Sequence, residues 1–153
     1  MINYTITPAR PSDLPDIHTM IRALSAFHGD TAAVSLANLQ DILFGHTSNT
    51  CALVARNSAV AHGYAAITQS MVIHEGKPSL DIHHLFVHET HRANGIGTAL
   101  INAAKSHANK IGATRLTIGT DPRNATAIAA YRAIPLLTEN TGAGPRFRVD
   151  LTA

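Results

Sequence analysis

The 153-residue chain has one cysteine, no tryptophan and little charge: Asp, Glu, Lys and Arg together make up 14% of it. A lone Cys51 excludes an intrachain disulfide framework and a thiolate metal cluster, and reads as a small buried apolar residue. Its 12 basic residues outnumber 10 acidic ones for a net charge of +2, but they are scattered rather than gathered into a run. With aromatic residues at only 5%, the basic clusters and stacking platforms that nucleic acids need are missing. Met1 to Arg10 lacks a charged segment leading into an apolar one, and no stretch approaches about 18 uninterrupted apolar residues. A soluble cytoplasmic protein with no membrane or nucleic-acid partner is expected.

What the chain does have is a hydrophobic fraction of 45% and ten histidines. The length suits one domain over residues 1–153, able to hold a core without metal or disulfide help. Thr5 and Ile6 open a strand that Pro8 and Pro11 close, and Ser12 reads as the N-cap of a helix carrying Leu14, Ile17, Ile21 and Leu24. A second helix, marked by Leu36, Leu39, Ile42 and Leu43, stops at Gly45. Strands follow at Cys51 to Arg56 and Val60 to Ile73, joined at Asn57-Ser58; Gly76-Lys77-Pro78 breaks the run before Leu80 to Val87. A helix from Ile96 to Gly112, a strand from Thr114 to Ile118, a helix from Asn124 to about Ala133 and a last alternating strand from Arg146 to Leu151 complete the order. This is an α/β (α+β) chain with a mixed, mostly antiparallel sheet flanked by helices.

The most informative stretch runs from Leu85 to Gly97, where a strand meets a helix through Gly95 and Gly97. Free N–H groups at a helix start bind anions, and glycine lets the backbone approach closely. A dinucleotide-binding fingerprint needs a third small residue where Leu100 stands, and a P-loop needs a Gly-Lys-Ser/Thr that is missing. The bare glycine pair fits an ordinary turn equally well.

Arg92-Ala93-Asn94-Gly95-Ile96-Gly97 resembles motif A of the GNAT-family N-acetyltransferases, which reads Arg/Gln-x-x-Gly-x-Gly/Ala. Asn124 to Tyr131 is similar to the same family's downstream Asn-x-x-Ala-x-x-x-Tyr, and the strand order suits its fold with splayed central strands. The resemblance implies that Arg92, Ala93, Asn94, Gly95, Ile96, Gly97 and Thr98 wrap the pyrophosphate of acetyl-CoA, mainly through backbone N–H groups. It further implies that the strand residues Leu85, Phe86 and Val87 run beside the pantetheine arm, with Leu85 and Val87 bonding it through their backbones. Asn124 would contact that arm, and Tyr131 would protonate the departing thiolate. The pattern departs at Pro135 and at Ala93, where relatives often carry glycine.

Within the family, Leu80 to Val87 is similar to the corresponding strand of diamine and thialysine acetyltransferases, and Leu24-Ser25-Ala26-Phe27-His28 to the end of their first helix. On that correspondence His28, His83 and His84 replace acids that hold a polycation, so a monoamine, an amino-acid-like amine or a peptide N-terminus is expected as acceptor. The same correspondence makes His83, rather than His84, the choice for general base, acting directly or through water, a task open to a neutral imidazole near pH 7. Strand alternation would turn His84 to the opposite face. His62, His74, His88, His91 and His107 read as surface or packing residues, and no metal is expected. Many relatives pair as dimers, and the strand from Val60 to Ile73 could reach a second copy. The competing reading is a noncatalytic acetyl-CoA-binding module.

Overall fold

The computed structural model describes residues 3–142 and 144–151. They form two compact units that part after Gly119. The first holds β1 (Thr5–Pro8), α1 (Leu14–Phe27), α2 (Leu36–Phe44), β2 (Thr50–Asn57), β3 (Val60–Val72), β4 (Lys77–Val87), α3 (Ile96–Lys110) and β5 (Leu116–Ile118). The second holds α4 (Ala125–Arg132).

The five strands lie in chain order across one sheet, antiparallel except for β4 and β5. Short connections join β2 to β3 and β3 to β4, the latter closed by Gly76 at φ +63°, whereas α1 and α2 lie between β1 and β2. The parallel pair needs a crossover, which α3 supplies. Ala52, Val54, Tyr64 and Phe86 point to one face, where they pack with Leu14, Ile17, Met20 and Ile21 of α1 and with Leu39 and Leu43 of α2. The alternate residues Leu53, Ala55, Ala65 and Ile67 are also buried, on the face that α3 covers with Ile96, Leu100, Ile101 and Ala104. Each such large apolar side chain stabilises the fold by about 1.5–3 kcal/mol.

Two β-bulges interrupt the alternation. Ala55 pairs with Gly63 and Arg56 with Ala61, so His62 is an extra residue in β3. Ala66 pairs with His84 and Ile67 with Ile82, so His83 is an extra residue in β4. A bulge re-aims the side chains beside it.

Three expectations are corrected. Ser12 does not cap α1: it lies in a short 3-10 turn, Pro11–Asp13, and the N-cap of α1 is Asp13, whose carboxylate makes no cap bond to α1 but accepts the Arg10 N–H at 2.7 Å across that turn. The same carboxylate meets both terminal nitrogens of Arg56 at 2.8 and 2.9 Å, both side chains being buried. Burial pushes this acid up, but the Arg56 and Arg10 bonds outweigh it and hold the carboxyl below its ordinary value. The third strand run starts at Lys77 rather than Leu80, because Pro78, opposite Met71 near the strand's end, does not break the ladder. Finally, residues 146–151 form no strand; Phe147, Val149 and Leu151 are 92%, 79% and 91% exposed. Alternation makes a strand only where a neighbouring edge supplies hydrogen bonds, and among the described residues none does.

In the second unit, the Asn124 side chain accepts the Ala127 N–H at 3.0 Å and so caps α4. None of the residues of α4 is fully buried. Among the described residues, no helix is long and apolar enough to cross a membrane.

Candidate active site

The turn from β4 into α3 is built around unpaired amides. Arg92 Nε donates to the Val87 carbonyl at 2.9 Å, tying the turn to the strand end. Ala93 and Gly95 take left-handed conformations, φ +61° and +77°, which fold the chain back onto the start of α3. From Ala93 to Thr98, none of the backbone N–H groups donates to an acceptor among the described residues; the first bond of the helix is from Ala99 to the Gly95 carbonyl, 2.9 Å. Arg92 to Gly95 and Thr98 are exposed, while the Ile96 side chain is buried, so Ile96 offers only its amide.

Gly97 explains itself differently from Gly95. Its φ is not left-handed, and an added Cβ would meet nothing within 4 Å. The fold therefore gives no reason for glycine there, whereas a ligand lying against the amides does. A run of N–H donors free among the described residues at a helix N-terminus, with open space over Gly97, suits an anion such as a phosphate group.

Beside this turn the sheet opens. β4 pairs with β5 only through Leu80–Leu116, Asp81–Thr117 and Ile82–Ile118. From His83 to Val87 β4 keeps β3 on one side, and the other edge has no strand among the described residues. Leu85 and Val87 lie on this free edge, which can take an extended ligand as an added strand. Phe86 is buried in the core and offers only its backbone.

The bulge at His83 overturns the expectation that His83 and His84 face opposite ways. Their rings stack, with centroids 4.7 Å apart and planes 17° from parallel. Burial first, then the neighbouring charges of His83 and His28, lowers the pKa of His84 below the ordinary imidazole value. The three histidines therefore form one group: His28 at the end of α1, His83 exposed and His84 partly buried on β4.

Tyr64, which sequence reasoning missed, sets the state of His84. It is 0% exposed, and its hydroxyl lies 3.0 Å from His84 Nδ1. Burial pushes the phenol pKa well up, so the hydroxyl stays protonated and needs an acceptor. His84 Nδ1 is its partner among the described residues. A proton on Nδ1 would leave a buried donor unsatisfied, at about 1–3 kcal/mol. The neutral tautomer of His84 is therefore Nε2–H, a donor and not a base. Nothing local in the sequence links Tyr64 to His84, because the bond depends on the bulge between them.

A second histidine group lies at the other bulge. His62 and His91 have centroids 3.9 Å apart, and His88 is 6.4 Å from His91. Burial, then His91 and His88, lowers the pKa of His62. His62 and His91 are half-buried and His88 is exposed. Cys51 is half-buried with Sγ 3.7 Å from His107 Nε2, and burial raises its thiol pKa. Among the described residues, no three His, Cys, Asp or Glu side chains converge as metal ligands.

In the second unit Asn124 spends its carbonyl oxygen on the helix cap, which leaves its amide N–H₂. Tyr131, partly buried on α4, has a phenol pKa raised by burial, and its hydroxyl has no partner among the described residues. It is a proton donor at neutral pH.

Comparison with known proteins gives the family and the fold. The family model described as "Acetyltransferase (GNAT) family" matches residues 17–134. Among solved structures, an aminoglycoside acetyltransferase from an uncultured soil metagenomic sample is similar at TM-score 0.80 and 20% identity, covering 96% of this chain and 97% of that one. A ribosomal-protein-alanine N-acetyltransferase from Brucella melitensis biovar Abortus 2308 is similar at TM-score 0.74 and 19% identity, covering 95% and 100%. No curated protein matches the chain.

Proposed function

The chain belongs to the acetyltransferase (GNAT) family, and from that premise we propose that it moves an acetyl group from acetyl-CoA to a primary amine of a small molecule or peptide by direct attack. The observation that carries this reading is the run of unpartnered amides from Ala93 to Thr98 beside the unpaired edge of β4. When bound, acetyl-CoA supplies an activated acetyl carbonyl and a thiolate leaving group. The amides hold the pyrophosphate, the edge at Leu85 and Val87 aligns the pantetheine arm, and the amide of Asn124 contacts that arm. As the amine nitrogen bonds to the acetyl carbon, the C–S bond breaks. His83 takes the proton the amine loses, and Tyr131 gives one to the departing sulfur. The tautomer of His84 supports His83 as the base, since His84 has its Nδ1 lone pair engaged by Tyr64.

The family match crosses Gly119, which supports reading the two units as one N-acetyltransferase domain over residues 1–153. A cytoplasmic location fits the lone Cys51 and an acetyl-CoA donor. A homodimer rests on the family resemblance.

The test is acetyl-CoA-dependent thiol release over polyamines, lysine analogues, amino acids, monoamines and short peptides, in wild type and Tyr131→Phe. Turnover of one amine class, reduced on the order of 100-fold in Tyr131→Phe with cofactor affinity kept, is expected. An unchanged rate would remove Tyr131 from the mechanism.

A further inference from the structure

We propose that His84 is a fixed Nε2–H donor that makes the acceptor site select amines bearing a carboxylate, such as free amino acids, over polycationic amines. The inference rests on the acetyl-transfer reading and names its acceptor class. Three observations meet at this point. The buried Tyr64 hydroxyl occupies His84 Nδ1 at 3.0 Å, so the proton of the neutral ring sits on Nε2. Nε2 itself has no partner among the described residues. The groups that act on His84 are His83, stacked at 4.7 Å, and His28, with no carboxylate among them.

Asp81, two positions upstream of His83, accepts the Thr117 hydroxyl at 2.6 Å and so is engaged toward β5. A further cation brought to this group of imidazoles would meet like charge whenever one of them is protonated. A carboxylate would instead accept from Nε2–H with His84 still neutral, while the amine on the same molecule is the acetyl acceptor. A hydrogen bond to a charged acceptor is the stronger kind, and a site built around one rejects the analogue that lacks it.

The experiment compares matched acceptors, an α-, a β- and a γ-amino acid against their primary amides and against spermidine, by kcat/KM and by calorimetric binding to the CoA-loaded protein. Wild type should prefer one of the carboxylates over its amide by about tenfold or more. His84→Asn keeps an oxygen for the Tyr64 hydroxyl but loses the outer donor, and should bring the ratio to about one. His84→Gln, which restores an N–H near the Nε2 position, should recover part of it.

A spermidine preference, or equal kcat/KM for acid and amide with normal turnover, would overturn the selection while leaving acetyl transfer intact. If no amine turns over, the acetyl-transfer reading fails, and the binding series still decides the role of His84. Long-range proton–nitrogen NMR of His84 gives a separate check. A protonated Nδ1 in the neutral ring would overturn the proposal directly.

Discussion

The two histidine groups each include a bulged strand residue but lie in different surroundings. In each, one extra residue bulges from a strand, His62 in β3 and His83 in β4, and lies against another imidazole: His62 against His91 of the turn after β4, and His83 against its strand neighbour His84, which regular alternation would separate. In each, burial and neighbouring imidazoles lower a pKa. The difference lies in the surroundings. The His83–His84 pair adjoins an unpaired strand edge and is pinned by a buried phenol, whereas His62 and His91 pack on one another beside the start of the anion-binding turn. What an imidazole does here is decided by its partner and by the open edge next to it, not by residue type or by bulging.

The largest expected break in that comparison is catalytic. His83→Ala should lower kcat/KM on the order of 100-fold, because the amine loses its proton acceptor. His88→Ala, in the packing group, should leave the rate within about twofold of wild type. Equal losses in the two variants would erase the distinction.

Acid should then treat the two groups alike. For both His62 and His84 the folded pKa lies below the 6.5 of a free imidazole, so on acidification the unfolded chain takes up protons first. Stability should therefore be full above about pH 7 and fall as pH drops through 6.5 toward the folded pKa values. Thermal melts from pH 8 to 5 should show Tm falling, less steeply in His62→Asn and in His84→Asn. A Tm that rises with acid would contradict the burial of both.

The smallest effect sharpens the boundary between the packing group and the turn. Ala93 holds φ +61°, which costs a residue with a Cβ about 1 kcal/mol relative to glycine. Ala93→Gly should raise Tm by about 2–4 °C. No gain would mean that the alanine methyl makes a compensating contact.

How much of this was legible in the sequence follows from how local each feature is. Arg92 to Gly97 announce a glycine-containing turn into a helix because its left-handed residues and free amides are consecutive in the chain, and Asn124 announces a helix start because its cap bond is local. The helices and strands of the sheet follow from periodicity. The bulges do not: the residue count that makes His83 or His62 supernumerary is set by the partner strand, so alternation misassigned His84. Tyr64 gave no signal for the same reason. Residues 146–151 failed in the opposite direction, since a good strand pattern still needs an edge to pair with.

In the proposed mechanism the bulged His83 is the base that deprotonates the acceptor amine. The most direct test is chemical rescue: kcat/KM of His83→Ala for the best acceptor, measured with increasing free imidazole at pH 7.5. The rate of His83→Ala should climb with imidazole concentration, while wild type and His88→Ala stay unresponsive. A His83→Ala enzyme already as fast as wild type, or one that imidazole never restores while acetyl-CoA and the amine still bind normally, would contradict it.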